Sequence, residues 1–247
     1  MSKSTPDETI LTMKSGLVMR GRLIRRLFFK ARKALTIWRA SRIVAAVNFE
    51  AGDEQMVSLP TLILCTYTKV EDFLALAHVF REHDLVLVIP WDAHQKADIK
   101  NIHKLHQMLS LGPQGFDFSF FRQLLTDLRS YNRSVVVAPA AGAKFINDFL
   151  FDPVSLVRLS VKANVPIQPV VIEWGEGQKS VSNRQCRVWV GKRIFISPKH
   201  SDFQDIFFRR RGVRKFSKLS RKEYAEIATR IFNKFEQMKK KYGSNLS

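Results

Sequence analysis

The sequence predicts an α/β domain with a largely parallel sheet flanked by helices, and three observations predict it. Short apolar runs rich in branched residues recur along the chain: TLILCT (61–66), LVLVIP (85–90), SVVVAP (134–139) and IQPVVIEW (167–174). The stretches between them space their apolar residues at helical intervals. Continuous apolar strands alternating with amphipathic helices suit a parallel sheet covered on both faces. Hydrophobic residues make up 45% of the 247 positions, enough to fill such a core.

Taken in order, residues 1–16 form a polar, disordered tail without the apolar centre of a signal peptide. A basic segment, 17–48, follows, and its periodicity predicts a helix over 17–44. Ile24, Leu27, Phe28, Ala31, Leu35 and Trp38 share one side of it, and arginines and lysines fill the rest. A basic amphipathic helix bearing Phe and Trp suits a membrane interface. Arg22, Arg25, Arg26 and Lys30 would meet lipid phosphates while Phe28, Phe29 and Trp38 enter the acyl boundary. The same stripe also suits packing on the protein's own core, and both roles can coexist.

The α/β domain is expected over 49–247. Its first strand, TLILCT, leads into a helix over 69–82, then the strand LVLVIP. Residues 94–110 are expected to be helical, with GPQG (112–115) ending that helix. The next helix, 117–131, opens at Asp117, whose charge suits a helix N-terminus. SVVVAP is the third strand, and Pro153 opens a helix through VSLVRLSVKAN. After IQPVVIEW and the turn WGEGQ, CRVWVG and RIFIS are expected to pair around Gly191. A C-terminal helix over 221–241 presents Tyr224, Ile227, Ile231, Phe235 and Met238 on one stripe.

Charge narrows the partners. Of a formal net charge of +19, ten Lys/Arg lie between Lys14 and Phe49 and eight between Ile206 and Lys222, with no acid in either stretch. Two basic segments on a nearly neutral body imply docking to a polyanion, either an anionic membrane or a nucleic acid. The two cysteines, Cys65 and Cys186, suggest neither a disulfide framework nor a metal site, which favours a reducing, cytoplasmic setting. No apolar run approaches the roughly 20 residues that span a bilayer, so membrane attachment would be peripheral.

The strand SVVVAP, the helix SLVRLSVK, the stretch ANVPIQPVVI and the late CRVWVGKRIFISP, in that order, resemble the lysophosphatidic acid (glycerolipid) acyltransferase family. The likeness covers residues 55–198. It implies the glycerolipid-acyltransferase-like mixed sheet and two functional loops. In the family, N-H-x-S-x-x-D follows the first core strand, and the histidine takes a proton from the acceptor hydroxyl as it attacks an acyl thioester. Here Thr66 occupies the histidine position, Thr68 the serine position and Glu71 the aspartate position. A threonine hydroxyl is no proton acceptor near neutral pH. The family's P-E-G-T-R loop binds the acceptor's phosphate. Here the corresponding tetrad is Ala141, Gly142, Ala143 and Lys144, one residue beyond Pro139, which keeps the glycine and one cation. An unshifted alignment on Pro139 places Ala140 and Ala143 at the ends of the tetrad instead, and either way the acid is absent.

The resemblance therefore implies three alternatives. The chain transfers an acyl group from acyl-CoA or acyl carrier protein to a (lyso)glycerolipid-type acceptor. Or it is a catalytically inactive lipid-binding relative. Or, less in keeping with its motifs, it is a basic scaffold or ribonucleoprotein component that reuses the fold. No cofactor and no metal are expected. His103 and His106 share a helical face, but such a pair is ordinarily a solvated one. No G-x-S-x-G elbow or phosphate-cradling G-x-x-x-x-G-K-[ST] loop is present.

Overall fold

The computed structural model describes residues 35, 38, 41–50, 59–65, 70–81, 83–89, 107–110, 117–137, 153–175, 185–208 and 219–242. Their strands are β1 (Val44–Phe49), β2 (Leu62–Cys65), β3 (Leu85–Ile89), β4 (Gln107–Ser110), β5 (Ser134–Val137), β6 (Ile167–Trp174) and β7 (Cys186–Val190). Their helices are α1 (Val70–Val79), α2 (Phe118–Arg129), α3 (Pro153–Ala163), α4 (Gln204–Phe208) and α5 (Arg221–Tyr242).

The strands form one seven-stranded sheet in the order β1-β7-β6-β2-β5-β3-β4. Every neighbouring pair is parallel except β6 and β7. The central strands are buried on both faces, which is why their sequences are continuously apolar. Leu62, Leu64, Val135 and Val137 face α2, α3 and α5, whereas Ile63, Cys65, Val136 and Val170 face α1. The alternation follows from the two-residue period of a strand.

Local chemistry sets the helix ends. Asp117 caps α2 by accepting from the Phe120 N–H at 2.7 Å. Ser220 and Glu223 form a capping box at the start of α5. The Ser220 N–H donates to Glu223 Oε2 at 2.7 Å, and the Glu223 N–H donates to Ser220 Oγ at 3.3 Å. Asn164, at φ 57°, turns the chain out of α3, and the Val165 N–H closes on the Ser160 carbonyl at 3.1 Å. The stripe expected on α5 is buried in full. At roughly 1.5–3 kcal/mol per large apolar side chain, that burial rather than helix propensity docks α5. Arg230 also ties it to α4 through paired bonds of 2.7 and 2.6 Å to Asp205.

Three expectations need correction. Helical backbone ends at Ile43, and Val44–Phe49 is a parallel partner of β7, so the helix does not continue through 44–48. The alanines of VAAVNF favour helix locally, and a pairing across about 140 residues of chain overrides them. Residues 107–110 are an edge strand on β3 rather than the end of a helix, although QMLS has no β-branched residue. The segment after Gly191 does not fold back on CRVWV. Ile194 instead exchanges two hydrogen bonds with Ile167, at 3.1 and 2.8 Å, and so extends the β6–β7 ladder.

Candidate functional site

Two chain reversals in the sheet define a crevice. From β2 the chain runs through α1, on one face, to β3 on one side of the sheet. From β5, the neighbour of β2, it runs through α3, on the other face, to β6 on the opposite side. Adjacent parallel strands whose connections diverge in this way leave a crevice beyond their carboxyl ends, the usual ligand position in open α/β sheets. The register pairs Leu64 with Val137, so Cys65 and Val137 end side by side at that edge. The segments beginning at 66 and at 138 start there together.

The expected site residues divide accordingly. Thr66, Thr68, Pro139, Ala141, Gly142, Ala143 and Lys144 lie outside the described residues, as do Arg22, Arg25, Arg26, Phe28, Phe29 and Lys30. Glu71 is half-buried in the first turn of α1. Trp38 is 51% exposed, and the Arg42 guanidinium carbon stands 3.9 Å over its ring. Because β1 runs antiparallel to β2, the chain enters the sheet at Val44 on the same edge as the crevice.

A residue that the sequence did not single out is the best-fixed acid at this edge. Asp72 is only 2% exposed, and its Oδ1 accepts the indole N–H of Trp174 at 2.7 Å. Trp174 ends β6, which runs four residues past its last pairing with β2. Both cysteines feel this carboxylate. Burial first, and then the charge of Asp72, push the Cys65 thiol well above its ordinary range. The same two causes push the Cys186 thiol up to about 12, against the opposing effect of a backbone hydrogen bond. Neither thiol is a nucleophile at neutral pH. Asp72 and Trp174 stand 102 residues apart, so no local pattern announces the pair.

Among the described residues, no histidine is seen to replace a base at this edge. His83, just after α1, is buried, with Nδ1 2.7 Å from Ser134 Oγ at the opposite end of β5. His78 is half-buried on α1, and His94, His103 and His106 lie outside the described residues. Among the described residues no three His, Cys, Asp or Glu side chains gather as metal ligands. Nor is any described helix long and apolar enough to cross a membrane.

No family model and no curated protein matches the chain. Among solved structures it is similar to the 1-acyl-sn-glycerophosphate (LPA) acyltransferase PlsC of Thermotoga maritima. That likeness has 14% identity, covers 88% of this chain and 87% of that one, and has a TM-score of 0.45.

Proposed function

We propose that this chain is an acyltransferase-like protein of the cytoplasmic membrane surface, with its lipid site in the crevice between β2 and β5. It would take a (lyso)glycerolipid-type acceptor and an acyl thioester. The observation that carries the reading is the shared exit of β2 and β5 at a point where the crossovers diverge. The two segments attached there, 66–71 and 139–144, are the ones that resemble the family's proton-transfer and phosphate-binding loops. Gly142 and Lys144 would bind the acceptor's phosphate, and Arg22, Arg25, Arg26 and Lys30 would hold the chain against anionic lipid. Exposed Trp38, on the approach to the same edge, suits that orientation.

A second reading, a lipid-binding relative without turnover, is favoured by one specific observation. Thr66 stands where a base is required, and the buried carboxylate nearest it in the sequence after Glu71, Asp72, accepts the Trp174 indole N–H. Losing a general base costs about 10² to 10⁴ in rate.

One experiment tests both. Purified protein is mixed with an acyl thioester and lysophosphatidic acid in anionic vesicles, and thiol release and flotation are followed together. Thiol release supports acyl transfer. Flotation without thiol release, with turnover gained in Thr66→His/Ala141→Glu, supports the inactive relative. A protein that neither floats nor turns over refutes both, and salt-sensitive RNA binding in its place would support the scaffold alternative.

A further inference from the structure

The sheet edge opposite the crevice carries a cleft of about 590 Å³, formed where β1 and β7 end against the last turns of α5. We propose that this cleft is a second anion site, one that takes a phosphate monoester group.

Charge comes first. Lys192, Arg193, Lys234 and Lys241 line the cleft against two carboxylates, Glu50 and Asp202. The excess of two positive charges matches a phosphate monoester, which carries about −1.5 to −2 at neutral pH. His200 also lines the cleft.

The cations are positioned rather than scattered. Lys234 pairs with Asp202. Glu50 accepts the backbone N–H of Lys192 at 3.2 Å, which fixes the turn that carries Lys192 and Arg193. Lys241 stands 4.7 Å over the Tyr242 ring, and that ring stacks on Trp189 at 4.0 Å. Between the charges lie Pro169, Ile194 and Met238, an apolar floor for the carbon part of an ester. Gly191 lets this floor close up, because a Cβ there would lie 2.7 Å from Pro169 Cγ and 3.0 Å from Met238 Sδ.

The site is independent of the crevice reading, since its residues come from the other end of the sheet. Calorimetric titration of the full chain with inorganic phosphate and with glycerol 3-phosphate, at low and high salt, tests the soluble source. Flotation with phosphatidylcholine vesicles, with and without phosphatidic acid, tests a lipid headgroup. Lys192→Glu/Lys241→Glu changes only exposed side chains. It is expected to weaken whichever probe binds by at least about tenfold, as the loss of one charge-assisted contact would. Glu50→Gln is expected to tighten it severalfold, and high salt to weaken it. Binding that is unchanged across the three proteins overturns the proposal. So does the absence of binding to every probe at millimolar concentration.

Discussion

Replacing Trp174 with phenylalanine keeps an aromatic ring at the end of β6 and removes the N–H that Asp72 accepts at 2.7 Å. Asp72 is 2% exposed, so water cannot readily take the donor's place. A hydrogen bond to a charged group contributes about 1.5–3 kcal/mol, and the smaller ring forfeits about another 1 kcal/mol of burial. Trp174→Phe should therefore cost about 3 kcal/mol. With a urea m-value of about 2–3 kcal/mol/M, the midpoint followed by far-UV circular dichroism falls by about 1 M. Asp72→Asn supplies the control, because its amide oxygen still accepts but carries no charge. A neutral bond contributes about 0.5–1.5 kcal/mol, so Trp174→Phe made in the Asp72→Asn background should cost about 1 kcal/mol less. The difference is the coupling that a double-mutant cycle isolates. Equal costs in both backgrounds, within about 0.3 kcal/mol, would refute the claim that the indole serves the carboxylate's charge.

Two further outcomes concern β7 and the turn after it. The folded Cys186 thiol holds its proton up to about pH 12, whereas an ordinary thiol releases it near 9.0. The unfolded state therefore binds fewer protons between those values, and stability falls as pH rises through that window, the contribution being complete below it. Cys186→Ala should flatten the slope of urea midpoint against pH above 9 relative to the parent, and an unchanged slope contradicts the assignment. Gly191→Ala places a methyl 2.7 Å from Pro169 Cγ. Overpacking of this kind costs about 1–3 kcal/mol, read as a lower thermal midpoint, and a midpoint equal to the parent's would show that Pro169 and Met238 yield freely.

Much of the fold was legible because burial on both faces writes itself into composition. β2, β3, β5 and β6 are mostly aliphatic runs, and their buried polar exceptions, Ser134 and Gln168, are hydrogen-bonded. Asp117, Pro153 and the α5 stripe were legible because capping and helical spacing act within a few residues. What failed were the edges. β1 and β4 have helix-compatible sequences and become strands only because β7 and β3 offer them open backbone groups. Of the candidate site, the strand ends that carry it were legible. The order of motifs marked 66–71 and 139–144, but Asp72, one residue beyond the expected Glu71, acquires its role from a tryptophan 102 residues away.

By itself, then, the sequence determined the layering, the central strands, the placement of basic charge and the absence of a histidine at Thr66, all of them properties of neighbouring residues. The tertiary structure decided which strands adjoin, and so which loops share a sheet edge. It also decided that Asp72 is buried against Trp174, and that lysines from two separate parts of the chain, the turn after β7 and α5, gather at the far end of the sheet. Those are long-range choices, governed by backbone pairing and desolvation across the core, and neither of these leaves a local trace.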